Sequence, residues 1–159
     1  MNVDIVPLTT PDTYDIRKAV LRADMATQNV QFAEDNWDGV FHLGARVGKQ
    51  LVAVSTWIPR DWDDGPAIQL RGMAVLAHMQ GSGCGGGLVE AGCAQCDDRG
   101  FPLVWARARD AALPFYQRHQ FQVVGAGYVD ATTDLPHHTI VRLLNMDHRM
   151  PANPDRISR

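Results

Sequence analysis

From Met73 to Leu88 the chain reads MAVLAHMQGSGCGGGL. Five of the seven residues from Gly81 to Gly87 are glycine, which is not the composition of a core. Glycine lets the backbone turn sharply and lets another group approach with no Cβ in the way. The apolar run from Met73 to Leu76 leads into the glycines, and a helix-like pattern starts at Leu88. This is a strand, a glycine-rich turn and a helix start in succession. Free backbone N–H groups at a helix start, at the positive end of its dipole, make an anion site. The chemistry this stretch could do is to hold a phosphate.

Three phosphate cradles have glycine-rich signatures. A P-loop needs a lysine and a Ser or Thr after the glycines, and neither is present. The dinucleotide fingerprint G-x-G-x-x-G is met by Gly81, Gly83 and Gly86, with Asp110 in place of its distant acidic residue. It sits mid-chain, past the expected end of its strand, and too little chain follows to build repeated βα units. An NAD(P)-dependent oxidoreductase is therefore the weaker alternative. The third pattern, Q/R-x-x-G-x-G/A, is filled by Gln80, Gly83 and Gly85. In this form the stretch resembles the pyrophosphate loop of the GNAT superfamily of N-acetyltransferases, which bind acetyl-coenzyme A.

The resemblance extends from about residue 3 to residue 145. Arg71 to Val75, RGMAV, is similar to the family's central strand. Ala108 to Phe121, ARDAALPFYQRHQF, resembles A-R-x-x-A-x-x-F-Y-x-x-x-G-F. Glu34-Asp35-Asn36-Trp37-Asp38 with His42-Leu43 resembles the E-D-x-x-D…H-L stretch of small single-domain bacterial members. Leu135-Pro136-His137 is similar to their G-I-P-H.

The resemblance implies an α/β fold, with a central mixed and mostly antiparallel sheet of about six or seven strands flanked by helices. It implies an acetyl-coenzyme A-dependent N-acetyltransferase acting on a primary amine of a small molecule by direct transfer in a ternary complex. A non-catalytic acyl-coenzyme A sensor or partner-binding module of the same fold is the alternative. Met73, Ala74 and Val75 would lie along pantetheine. Gln80, Gly81, Ser82, Gly83, Cys84, Gly85 and Gly86 would hold the pyrophosphate, with Gln80 replacing the family's frequent Arg. Arg107 stands where relatives often carry an Asn that contacts pantetheine, and it can donate but not accept a hydrogen bond. Gln120 replaces the usual glycine of the G-F turn, where φ is often positive, so that turn is expected to be rebuilt. Members often form homodimers.

Acyl transfer to an amine requires a held donor, a stabilised carbonyl oxygen and movement of protons. By pattern alone Tyr116 is a core aromatic of an amphipathic helix. The resemblance implies that it protonates the leaving thiolate, and a phenol of pKa about 10 carries its proton at neutral pH. The general base stays open among Glu34, Asp35, Asp38, His42, His137 and His138. His42 falls in an expected strand, where a buried, hydrogen-bonded histidine is the commoner role. Asp61, Asp63 and Asp64 could add to an acidic acceptor mouth or be solvated loop charges. Cys93 and Cys96 form a lone C-x-x-C inside an expected helix. With no second ligand pair they read as small core residues, and no metal is expected.

The elements that must position these residues can be read from periodicity and turn chemistry. Strands are expected at 3–8, 40–47, 50–58, 67–76, 103–108, 121–129 and 138–144. Helices are expected from Thr9 to Arg22, with Ile16, Val20 and Leu21 inward and Arg17, Lys18 and Arg22 elsewhere, from Gly83 to Arg99, and at 113–119. Residues 23–38 suggest a short helix or loop. Gly48-Lys49 should close a hairpin, and 59–66 reads as a loop. Residues 1–145 form one expected domain and 146–159 a frayed tail. The chain has 159 residues, 45% hydrophobic and 21% charged, with a net charge of −3. That balance fits a globular domain and argues against a nucleic-acid or membrane-surface binder. No apolar run approaches a membrane span and no secretory signal pattern is visible. Three cysteines without disulfide spacing fit a reducing cytoplasm.

Overall fold

A computed structural model describes residues 2–22 and 29–144; the tail expected from Asn145 and part of the 23–38 stretch lie outside the described residues. Strand β1 is Val3–Leu8, followed by a 3-10 turn Pro11–Thr13 and helix α1, Tyr14–Leu21. After a 3-10 turn at Ala33–Asn36 come β2 (Phe41–Val47), β3 (Gln50–Pro59) and β4 (Ile68–Val75). A 3-10 turn at Ala77–Met79 precedes helix α2, Cys84–Asp98. The chain continues as β5 (Leu103–Arg109), a 3-10 turn Asp110–Ala112, helix α3 (Leu113–Arg118), β6 (Gln122–Val129) and β7 (Pro136–Leu143). The 3-10 turns at 77–79 and 110–112 carry no periodic pattern in the sequence.

The strands form one seven-stranded sheet in the order β1-β2-β3-β4-β5-β7-β6. The β1–β2, β2–β3, β5–β7 and β6–β7 pairs are antiparallel and β4–β5 is parallel. The expected mixed, mostly antiparallel sheet with flanking helices is thus the architecture found. By packing the chain divides into two compact units, Met1–Pro59 with Leu70–Gly92, and Arg60–Gln69 with Cys93–Arg159.

In the first unit Val47 pairs with Gln50 across the Gly48-Lys49 turn, where Gly48 takes φ +61°. Val52, Ala53, Val54, Trp57 and Ile58 on β3 are fully buried. Burying a large apolar side chain is worth roughly 1.5–3 kcal/mol, so this strand carries much of the unit's cohesion. Ile16, Val54 and Ala74 cluster under Leu8, Val20, Leu21, Leu51 and Leu76. Trp57 packs against α2 at Gly92, where an added Cβ would lie 1.8 Å from the indole Cζ2. Glycine in mid-helix costs about 1 kcal/mol against alanine; here it leaves room for the indole.

In the second unit Ile68 and Gln69 pair with Val104 and Trp105. The β5–β7 ladder runs from Leu103–Leu143 to Arg109–His137. Ala67, Leu103, Trp105 and Val141 form a core beneath Trp62 and Val124, and Trp105 Nε1 donates to the Arg60 carbonyl at 3.0 Å. The 59–66 loop closes as a turn with a Trp62–Gly65 bridge, both central residues, Asp63 and Asp64, having positive φ.

Cross-strand partners share a sheet face and successive residues alternate. Arg107, Arg109, Thr139 and His137 therefore occupy one face of β5 and β7. Ala106, Ala108, His138, Ile140 and Arg142 occupy the other. All three cysteines are free and buried, and burial pushes the Cys96 thiol well up. Cys93 and Cys96 sit in the core of α2.

Candidate active site

The glycine-rich loop leaves β4 at Val75. The Leu76 N–H donates to the Val52 carbonyl at 2.9 Å, and the Gln80 side-chain amide reaches back to the Val75 carbonyl at 3.3 Å. Gly81 and Gly83 take φ +80° and +92°, and an added Cβ at either would meet nothing within 4 Å. Glycine is needed there for conformation rather than for space. Ser82 Oγ donates to the Met79 carbonyl and lies 3.2 Å from Cys84 Sγ. The Gly87 N–H donates to the Gly83 carbonyl at 2.9 Å. The N–H groups of Cys84, Gly85 and Gly86 precede this bond, at the end of α2 where a helix has no intrahelical partner for its first donors. The Cys84 side chain is fully buried, leaving the backbone as what this residue can present.

Upstream on β4, Ala74 is buried while Met73 and Val75 are half-buried. Gly72 has φ +64°, and its added Cβ would come 2.7 Å from the Phe32 ring. Both conformation and space demand glycine at this point, just before the segment with pantetheine-binding resemblance.

Glu34, Asp35 and His42 belong to one polar cluster of the first unit. Arg17 NH1 and NH2 bond Asp35 Oδ2 and Oδ1 at 3.0 and 2.9 Å, and NH2 also reaches Thr56 Oγ1 at 2.7 Å. NH1 further donates to the Val30 carbonyl at 2.8 Å. Burial would raise the Asp35 carboxyl, but hydrogen bonds from Arg17 and the Phe32 N–H outweigh it and hold it below the ordinary value. Arg71 pairs with Glu34. The Phe32 ring lies 3.8 Å from Arg17 Cζ and 4.1 Å from Arg71 Cζ, so it contacts both guanidinium groups.

His42 has both ring nitrogens engaged, Nδ1 with Thr56 Oγ1 at 2.8 Å and Nε2 with Thr10 Oγ1 at 3.0 Å. Its pKa is lowered, chiefly by burial, with Asp35 opposing and Arg17 assisting. Arg17, expected to face away from the core, is fully buried instead. Charge pairing overrides its polarity.

Within the second unit Arg107 is exposed, with Cζ 5.6 Å from the Trp105 ring. Tyr116 is buried between Phe115 and Phe121, with ring centroids 5.0 and 5.4 Å away. Burial pushes its phenol up to about 12. Gln120 takes φ +68°, and the Phe121 N–H donates to the Tyr116 carbonyl at 3.1 Å. The turn expected to be rebuilt is instead kept in the left-handed conformation.

His137 is buried, with its ring stacked on Tyr128 at 5.9 Å. Its Nδ1 lies 2.9 Å from the Leu135 carbonyl. A carbonyl can only accept, so Nδ1 donates to it and, in a neutral ring, Nε2 is the acceptor nitrogen. The same carbonyl accepts the Asp130 N–H at 3.0 Å. Asp130 in turn binds the N–H groups of Thr132 and Thr133 at 3.1 and 2.9 Å, which ties the β6–β7 loop together. His138, on the opposite face of β7, pairs with Asp110 at 2.6 Å.

The acetyltransferase (GNAT) family matches residues 7–121, and the chain belongs to it. It is therefore an acetyltransferase. It is 25% identical over 126 residues to YitI of Bacillus subtilis, an uncharacterised N-acetyltransferase, with 77% of this chain and 85% of that protein covered. An acyl-CoA N-acyltransferase from Pseudomonas aeruginosa has a similar fold, with a TM-score of 0.74, 20% identity, and 89% and 99% of the two chains covered. A GNAT acetyltransferase from Elizabethkingia anophelis, solved with acetyl-CoA bound, aligns with a TM-score of 0.69 at 14% identity over 90% and 99% of the chains.

Proposed function

We propose that this protein transfers the acetyl group of acetyl-coenzyme A to a primary amine of a small molecule, directly and in a ternary complex. The observation that carries the reading is the loop from Gln80 to Gly86, with its left-handed glycines at 81 and 83 leading into the start of α2 at Cys84. In this reading the N–H groups of Gly81, Gly83, Cys84, Gly85 and Gly86, with the Ser82 segment and the Gln80 side chain, bind the pyrophosphate. The backbone of Met73, Ala74 and Val75 lies along pantetheine, and the Arg107 guanidinium donates to it.

The acceptor nitrogen attacks the thioester carbonyl carbon, a C–N bond forms, and the C–S bond breaks. His137 takes the proton from the amine through Nε2. It is favoured over Glu34, Asp35 and His42 because those three are held by Arg71, by Arg17 and by two threonines. Tyr116 returns a proton to the thiolate. A phenol at about 12 lies roughly 3.5 units above an ordinary thiol near 8.5, so this transfer is uphill unless the thiolate is itself desolvated. The reaction runs in the cytoplasm, where thiols stay reduced.

The test is an amine panel read by thiol release, with Tyr116→Phe and His137→Gln beside the unaltered protein. Loss of a general acid or base slows turnover by about 10²–10⁴-fold, and KM for acetyl-coenzyme A should hardly move. Unchanged turnover in either variant removes that residue from the chemistry. No acetylation of any amine, despite tight donor binding, would favour an acyl-coenzyme A sensor.

A further inference from the structure

We propose that His138 and Asp110 are positioning residues for Tyr116, acting as one end of a two-point clamp by which β7 holds the 110–119 segment. The inference rests on the reading of Tyr116 as the acid. Asp110 opens the 3-10 turn that runs directly into α3, and Tyr116 is the fourth residue of that helix. A six-residue helix is far too short to be stable by itself, so its place must come from contacts outside it. At its front end His138 Nδ1 meets Asp110 Oδ1 at 2.6 Å. At its rear end Arg142 NH1 donates to the His119 carbonyl at 3.2 Å.

His138 and Arg142 stand four residues apart on β7 and share a face, with the fully buried Ile140 between them. One strand face therefore grips both ends of the segment that carries the phenol. The imidazole also has a prepared place. An added Cβ at Gly127 would come 2.7 Å from His138 Cε1 and 2.8 Å from Nε2, so β6 keeps a glycine where the ring packs. His137, the neighbouring residue, faces the other way and takes no part in this tie.

His138→Leu and Asp110→Ala break the front tie, while His138→Asn keeps an N–H donor at the Nδ1 position for the carboxylate. A displacement of about 1 Å at a reacting group can cost on the order of 10²-fold in rate. We expect the first two variants to lower kcat about 10–100-fold with little change in KM for acetyl-coenzyme A, and His138→Asn to recover most of it. In a Tyr116→Phe background His138→Leu should cost almost nothing further, because its effect passes through the phenol.

A second readout needs no acceptor. Tyrosinate absorbance, with Tyr116→Phe as the blank for Tyr14 and Tyr128, should show the phenol near 12 in the unaltered protein, lower in His138→Leu and Asp110→Ala, and restored in His138→Asn. A phenol that titrates the same in all four proteins overturns the proposal. So does a kcat loss from His138→Leu that is equally large with and without the Tyr116 hydroxyl. If no amine is acetylated at all, the acetyltransfer reading falls by itself, and the titration still decides whether His138 positions Tyr116. Asp110 is only half-buried on its turn, so Asp110→Ala keeps the test open if His138→Leu does not fold.

Discussion

Arg17 and Asp35 form a two-pronged pair, 3.0 and 2.9 Å between their facing atoms, with the Arg17 side chain wholly inaccessible. Two of the acidic residues with the right spacing to be a base, Glu34 and Asp35, thus each hold an arginine. Removing one partner of such a buried pair leaves the other charge uncompensated, at a cost of about 3–5 kcal/mol. We predict a loss of that size for Asp35→Ala in urea denaturation. A variant that stays fully stable but loses all turnover would instead return Asp35 to the list of bases.

The same cluster sets a pH dependence. His42 is held neutral, below its ordinary value of 6.5, so the unfolded chain takes up a proton there before the native chain does. Native stability therefore falls as pH drops through about 6.5, and levels off once pH is below the native value. Asp35 has the opposite linkage: its stabilisation is present above its ordinary 3.8 and is lost as pH falls through its lower native value. The melting temperature should decline from about pH 7 to about pH 5, and His42→Asn should flatten that decline. An equal slope in both proteins would mean that His42 is not the group responsible.

Gln120 carries strain that glycine would relieve. A left-handed non-glycine residue costs about 1–2 kcal/mol, and glycine gives back about 0.4–1 kcal/mol through the entropy of the unfolded chain. Gln120→Gly should stabilise by a net of about 0.5–1 kcal/mol, read as a higher urea midpoint, and Gln120→Val should destabilise. A lower midpoint for the glycine variant would show that the Gln120 side chain makes a contribution larger than its backbone strain.

The parts of the site that could be read from the chain are those set by local backbone chemistry. The glycines of 81–87, the Gly48-Lys49 hairpin and the strand-to-helix order around Gln80 all depend on residues close in sequence. The parts that could not be read depend on distant partners. Arg17 looks solvent-facing until Asp35, eighteen residues on, is placed beside it. His137 and His138 are equivalent in sequence; only the register of β7 on β5 puts one beside Tyr128 and the other beside Asp110. At Gln120 the fold imposes a positive φ that local preference disfavours.

The central claim is that the Gln80–Gly86 loop is a coenzyme A cradle. The most direct measurement is thermal denaturation with acetyl-coenzyme A, coenzyme A, NAD and NADP in parallel. A ligand at about 100 times its Kd adds roughly 2.7 kcal/mol to native stability, enough to move the midpoint by several degrees. The account predicts a clear rise with acetyl-coenzyme A and coenzyme A and none with the dinucleotides, and loss of that rise in Gly83→Val. A rise with NAD or NADP, or no rise with either coenzyme A form at saturation, would contradict it.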